Sequence, residues 1–231
     1  MKEIIEKLKN KVIVSCQATP NEPFHEEKCF TAMLKTVLSG GAGGFRVAGT
    51  RDVKIVKSVS DLPVIGISKI EPLPADWKDM VYITATYDDA VKIAKAGADI
   101  IALDGTARKR PKETLSEILE RIHKELNLPV MADISTIDEG LMCESLGTDI
   151  ISTTLSGYTT ETADKNNGEP DFELLEKLVK FTKCPIILEG RIWSPEHVSR
   201  AFELGAHCVV IGSAITRPAV ITQRFVKAVK L

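Results

Sequence analysis

The feature that most constrains this chain is a strand-starting signal that recurs in two alternating forms. One form begins with proline: Leu62-Pro63-Val64-Ile65, Leu128-Pro129-Val130-Met131 and Cys184-Pro185-Ile186-Ile187. The other follows a glycine: Gly97-Ala98-Asp99-Ile100, Gly147-Thr148-Asp149-Ile150 and Gly205-Ala206-His207-Cys208. Proline is tolerated at the first residue of a strand, and glycine supplies the left-handed turn that closes a helix. Each signal therefore marks the end of one element and the start of the next. The runs that follow are short, β-branched and unalternating, as expected of strands buried on both faces of a parallel sheet. Eight such runs are legible, over 12–16, 44–48, 64–69, 100–104, 130–134, 150–154, 186–189 and 209–212. Helical periodicity fills the intervals, most clearly over 89–96, 114–126, 172–181 and 195–204. Eight strand–helix units without an antiparallel hairpin or an edge-like strand favour a closed barrel over an open sheet. The expectation is one α/β domain over 1–231, a (β/α)8 TIM barrel of the phosphate-binding type, preceded by a short helix over about 2–9. Its longest irregular stretches, 72–79 and 159–170, follow strands three and six and would sit at the catalytic mouth.

Composition narrows the function classes. Basic residues number 30 against 32 acidic ones, a net charge of −2 that gives no bulk attraction to nucleic acid or an anionic membrane. The cluster Arg108-Lys109-Arg110 is a local exception, read as a solvated loop. Five cysteines, Cys16, Cys29, Cys143, Cys184 and Cys208, are odd in number and form no C-x-x-C, which points to reduced thiols in a cytoplasmic setting. No apolar run has membrane-spanning length, and the charged N-terminus lacks the core of a signal peptide. The four histidines form no spaced cluster, so no metal or other cofactor is expected. Gly40-Gly41-Ala42-Gly43-Gly44 follows a helix and precedes a strand, the reverse of the order a dinucleotide fingerprint requires.

A barrel of this kind builds its site from the C-terminal strand ends. In chain order these ends carry Gln17, Arg46, Lys69, Asp104, Asp133, Thr154 with Ser156, Glu189 with Arg191, and Gly212 with Ser213. The glycine-rich turns at Gly190 and Gly212–Ser213 occupy the usual phosphate position after strands seven and eight, with Arg217 just beyond to add a bidentate contact. Lys69 ends an apolar run, so its amine should point into the mouth, where burial and neighbouring cations such as Arg46 lower its pKa and make it a base. Glu189 could orient Lys69 or relay a proton. Two other roles fit the same residues: a Schiff-base lysine in an aldolase, and a barrel that binds a phosphosugar without turning it over.

Several segments resemble the N-acylglucosamine-6-phosphate 2-epimerases, also called N-acetylmannosamine-6-phosphate 2-epimerases. They are Val14-Ser15-Cys16-Gln17-Ala18, Pro63-Val64-Ile65-Gly66-Ile67 leading to Lys69, Val81-Tyr82-Ile83-Thr84, Met131-Ala132-Asp133-Ile134-Ser135-Thr136 and Thr153-Thr154-Leu155-Ser156-Gly157-Tyr158-Thr159. The tail adds Glu189-Gly190-Arg191-Ile192 and Gly212-Ser213-Ala214-Ile215-Thr216-Arg217-Pro218. The resemblance implies a TIM barrel that interconverts N-acetyl-D-mannosamine 6-phosphate and N-acetyl-D-glucosamine 6-phosphate in amino-sugar and sialic acid breakdown. It places the catalytic lysine on Lys69, the assisting glutamate on Glu189, substrate contacts on Gln17, Arg46 and Asp133, and the phosphate arginine on Arg217. The implied partner is a small phosphosugar. The sequence fixes no oligomeric state, although barrels of this sort often form homodimers.

Overall fold

The alternating runs resolve into eight parallel strands that close on themselves in chain order in a computed structural model describing residues 1–229. Residues 230 and 231, where the expected domain ends, lie outside the described residues. The strands are β1 (Val12–Cys16), β2 (Gly44–Ala48), β3 (Val64–Ile67), β4 (Ile100–Asp104), β5 (Val130–Asp133), β6 (Ile150–Ser152), β7 (Ile186–Glu189) and β8 (Cys208–Ile211). Around them run α1 (Lys2–Glu6), α2 (Glu27–Ser39), α3 (Gly49–Val59), α4 (Tyr87–Lys95), α5 (Leu115–Arg121), α6 (Ile137–Ser145), α7 (Phe172–Phe181), α8 (Pro195–Glu203), α9 (Ser213–Thr216) and α10 (Pro218–Lys227). Side chains that satisfy the first backbone N–H groups start several helices. Thr114 with Glu117 and Thr136 with Glu139 form capping boxes on α5 and α6, and Thr86, Asp171 and Ser194 cap α4, α7 and α8.

Two apolar layers follow from the period-two alternation of strand side chains. Residues facing outward, such as Val14, Phe45, Val47, Val64 and Leu188, join the helices in one cluster. Residues facing inward, such as Ile13, Ile65, Ile67, Met131, Ile187 and Val210, fill the barrel. Ile5 and Leu8 belong to the inner layer, and Leu8 is fully buried, so the N-terminal segment plugs the end of the barrel opposite the site. β3 and α4 approach closely at Gly66, where an added Cβ would lie 2.4 Å from Ile93 Cγ2 and 2.7 Å from Ala98 Cβ.

The structure differs from the sequence expectation at several boundaries. The N-terminal helix stops at Glu6, short of residue 9. The expected helix over 114–126 passes from α5 into a π-helical turn, Ile122–Leu126, closed by Asn127 at φ 52°. β3 ends at Ile67, before Lys69, because the returning segment pairs there instead. Lys69 and Ile83 form an antiparallel bridge, and Ile70 N donates to Tyr82 O at 3.3 Å. On its other side the segment is bound when Asp104 N donates to Ile83 O at 3.0 Å, so residues 82–84 are wedged between the ends of β3 and β4. Thr84 sits in the left-handed region at φ 42°, held because its hydroxyl donates to Ala102 O at 2.6 Å and accepts from Ser68 N at 3.1 Å. Arg108 and Arg110 are half-buried rather than solvated, because Arg108 pairs with the buried Asp104; only Lys109 is exposed.

Candidate active site

Inward alternation carries over from the strands to the residues just past them. Gln17 continues the phase of Ile13 and Ser15, Lys69 that of Ile65 and Ile67, Thr154 that of Ile150 and Ser152, and Glu189 that of Ile187. Together with Arg46 they line a cavity of about 360 Å³ at the C-terminal mouth, within the size range of small-ligand sites. Gly190, Arg191, Gly212, Ser213 and Arg217 line the same cavity on the β7–β8 side.

A buried ion cluster forms its floor. Arg46, 1% exposed, donates from Nη1 and Nη2 to the two carboxylate oxygens of Asp133 at 2.9 and 2.6 Å, a bidentate contact. Its Nη1 also donates to Glu189 Oε2 at 2.8 Å. Burial alone would lower the pKa of this guanidinium, but the Asp133 and Glu189 carboxylates outweigh it and raise the value. Glu189 moves the other way for a carboxylate: burial, with Asp133 nearby, pushes it up to about 7 in spite of Arg46. The Thr154 hydroxyl lies 2.7 Å from Asp133 Oδ1 and 3.0 Å from Glu189 Oε2. Its single proton can serve only one of them, which suits a Glu189 that carries a proton of its own. Thr153 fixes the Glu189 backbone, donating to its carbonyl at 3.0 Å and accepting from its N–H at 3.1 Å.

Lys69 has a different environment. It forms no ion pair among the described residues; its ammonium donates to the neutral amide oxygen of Gln17 at 3.4 Å, and Gln17 in turn donates to Ser15 Oγ at 2.9 Å. Burial lowers the Lys69 pKa, and Arg46 and Arg217 lower it further against the pull of Glu71 and Glu189. The amine is thus poised to be neutral at a lower pH than an exposed lysine.

Four expected residues are placed elsewhere. Asp133 is fully buried behind Arg46 and does not line the cavity. Ser156 turns away, its hydroxyl donating to Asp171 Oδ2 at 2.6 Å and bracing the start of α7. Arg191 lines the cavity, yet its guanidinium is spent on the loop, donating to Ser156 O and Glu169 O, each at 2.6 Å. Asp104 likewise leaves the cavity to accept from Arg108 and Thr106. The sequence reading missed the aromatic lining of Trp77, Tyr82, Tyr158 and Trp193. Tyr82 and Tyr158 lie in the quoted family segments, which is the one signal that could have found them. Among the described residues no three His, Cys, Asp or Glu side chains gather as a metal site would need, and no helix is long and apolar enough to cross a membrane.

The family model described as "Putative N-acetylmannosamine-6-phosphate epimerase" matches residues 30–231. Curated relatives carry that description with "2-epimerase" as its last word. One from Clostridioides difficile is 44% identical, covering 99% of this chain and all of its own length. Another, from Caldanaerobacter subterraneus, is 46% identical over 99% of this chain and 94% of its own. The solved structure of the N-acetylmannosamine-6-phosphate 2-epimerase from Clostridium perfringens superposes with a TM-score of 0.91 and 42% identity, over 98% of this chain and 96% of that one. A thiamine phosphate pyrophosphorylase from Pyrococcus furiosus, 19% identical with a TM-score of 0.58 over 91% of this chain and 88% of that one, shares the fold alone. The chain belongs to the N-acetylmannosamine-6-phosphate 2-epimerase family, a family of isomerases.

Proposed function

We propose that this chain interconverts N-acetyl-D-mannosamine 6-phosphate and N-acetyl-D-glucosamine 6-phosphate by moving a proton at C2 of the ring-opened sugar. The observation that carries the proposal is the division of charge in the cavity. Arg46 takes both acidic side chains, Asp133 and Glu189, and Lys69 is left against a neutral amide with its pKa lowered. A neutral amine can accept a proton, whereas one paired with a carboxylate is held charged.

The C2 proton becomes acidic only beside a carbonyl, so the aldehyde form is the reacting species. Neutral Lys69 takes that proton, and the electron pair of the C–H bond moves to form C1=C2 while the carbonyl electrons pass to O1. Protonated Glu189 supplies a proton to O1, and Arg46 stabilises the charge that develops there. The Lys69 ammonium, whose protons exchange with solvent, returns a proton to C2 after the enol has turned its opposite face to it; O1 gives its proton back to Glu189, the C1 carbonyl re-forms with C2 inverted, and the ring closes. The phosphate, held by the turns at Gly190 and Gly212–Ser213 with Arg217, lies far from C2 and orients it.

Proton NMR of N-acetylmannosamine 6-phosphate with the protein in heavy water reads turnover and exchange together. Appearance of the gluco epimer with deuterium at C2 supports the scheme. Turnover without deuterium at C2 overturns the solvent-exchanging base, and no turnover overturns the activity.

A further inference from the structure

The side of the cavity next to Lys69 is aromatic, and the chemistry above does not use it. Trp77 and Tyr82 meet edge to face there, with ring centroids 5.6 Å apart and planes at 89°. Leu73 lines the cavity beside them. All three come from the segment between Lys69 and the bridge at Ile83, much of which is exposed. An exposed loop of this kind holds a side chain in place only if something fixes its backbone.

Arg108 does so. Its Nη1 donates to the carbonyls of Lys78 and Trp77 at 2.9 and 3.4 Å, and its guanidinium lies 5.7 Å from the centroid of the Tyr82 ring. The same group is itself tied down, Nη2 donating to Asp104 Oδ2 at 2.7 Å and Nε to Thr106 Oγ1 at 2.9 Å. Asp104 is fully buried and also accepts from the Thr106 N–H and hydroxyl at 3.0 and 2.6 Å. A planar fork with fixed donors is the side chain that can bind a carboxylate and two carbonyls together. The buried end of β4 is thereby linked to the rim of the cavity.

Substrate chemistry says what such a wall would read. With the phosphate of C6 at the β7–β8 side and C2 beside Lys69, the substituent on C2 falls on the β3 side. That substituent is the N-acyl group, whose methyl is the one wholly apolar part of an otherwise polar sugar phosphate. We propose that Trp77 and Tyr82 form the wall that packs on the N-acyl methyl, and that Arg108, tied to Asp104, is the positioning residue that holds this wall. The inference rests on the epimerase reading and adds to it the residues that select the acyl group.

The test measures kcat/KM on N-acetyl-, N-propanoyl- and N-butanoylmannosamine 6-phosphate, with inorganic phosphate as a competing inhibitor. The native chain should prefer the acetyl substrate, each added methylene costing about tenfold against a fixed apolar wall. Trp77→Ala should erase that preference, losing about tenfold or more on the acetyl substrate and less on the longer ones, with phosphate inhibition unchanged. Trp77→Phe should restore most of the preference. Leu73→Ala gives a second, milder variant with the same direction, and Arg108→Lys, which keeps the charge and loses the fork, should flatten the preference as Trp77→Ala does. A uniform loss across the three substrates, or an unchanged preference in Trp77→Ala, overturns the wall. An unchanged preference in Arg108→Lys overturns the positioning role. A native chain inactive on all three overturns the epimerase reading itself, an outcome distinct from an active chain with a flat response.

Discussion

Lys69 and Arg46 are both basic side chains in one cavity, yet their surroundings shift them in opposite directions. Arg46 is held by two carboxylates and stays charged, while Lys69 faces Gln17 and is pushed toward neutrality. Replacing Lys69 by Ala should lower epimerisation by about 10²–10⁴-fold, the range typical of a lost general base, with substrate binding retained in isothermal titration. On the proposed scheme kcat/KM should be bell-shaped in pH, rising as Lys69 becomes the free amine, below the ordinary lysine range, and falling as Glu189 loses the proton it supplies to O1. Glu189 has the reverse sign. Its folded pKa, pushed up to about 7 from the ordinary 4.5, means that ionising it in the fold is unfavourable. The stability it contributes is whole below pH 4.5, is lost as pH rises toward about 7, and stays lost above that. Glu189→Gln mimics the protonated acid, so it should match the native chain at pH 4.5 and exceed it at pH 8 by on the order of 1–3 kcal/mol in urea melts. The same variant should lose activity at both pH values, which separates the two roles.

At the scale of elements, β3 shows how the chain aims Lys69 into the cavity. Gly66 lets the strand lie against α4, and a side chain there would meet Ile93 and Ala98 at distances that no real Cβ tolerates. Gly66→Ala should therefore cost about 1–3 kcal/mol in denaturant melts and reduce kcat by shifting the strand that carries Lys69. The placement of Lys69 was legible in the sequence because it stands in phase with Ile65 and Ile67, and the same phase exposes Gln17, Thr154 and Glu189. Residues beyond the strand ends were less legible. Ser156 and Arg191 have the right chemistry in the right turns, yet Asp171 and two loop carbonyls claim them. Those partners lie 15 and more residues away across an irregular segment, and no periodicity predicts where a loop folds back. The clamp on the 70–83 segment was hidden for the same reason. Arg108 reaches carbonyls 30 and 31 residues back, and in the sequence it is only one member of a basic cluster.

Over the whole molecule, the barrel order was legible because eight short apolar runs recur, the last six of them introduced alternately by proline and glycine signals, and the structure closes the sheet in that order. The closure of the opposite end was not. The N-terminal segment alternates charged and apolar residues at helical spacing, and nothing in it says that Ile5 and Leu8 would enter the inner layer of the barrel. Leu8→Ala should cost about 2–5 kcal/mol, seen as a lower midpoint in thermal melts, with catalytic parameters of the folded enzyme unchanged. That plug lies beneath an interior that the strand side chains already fill. With one end stoppered, the cavity is a cul-de-sac, and the molecule that leaves must use the doorway by which the next one arrives. The two epimers share the same phosphate handle and differ at a single carbon, so each is a natural competitor of the other at that doorway.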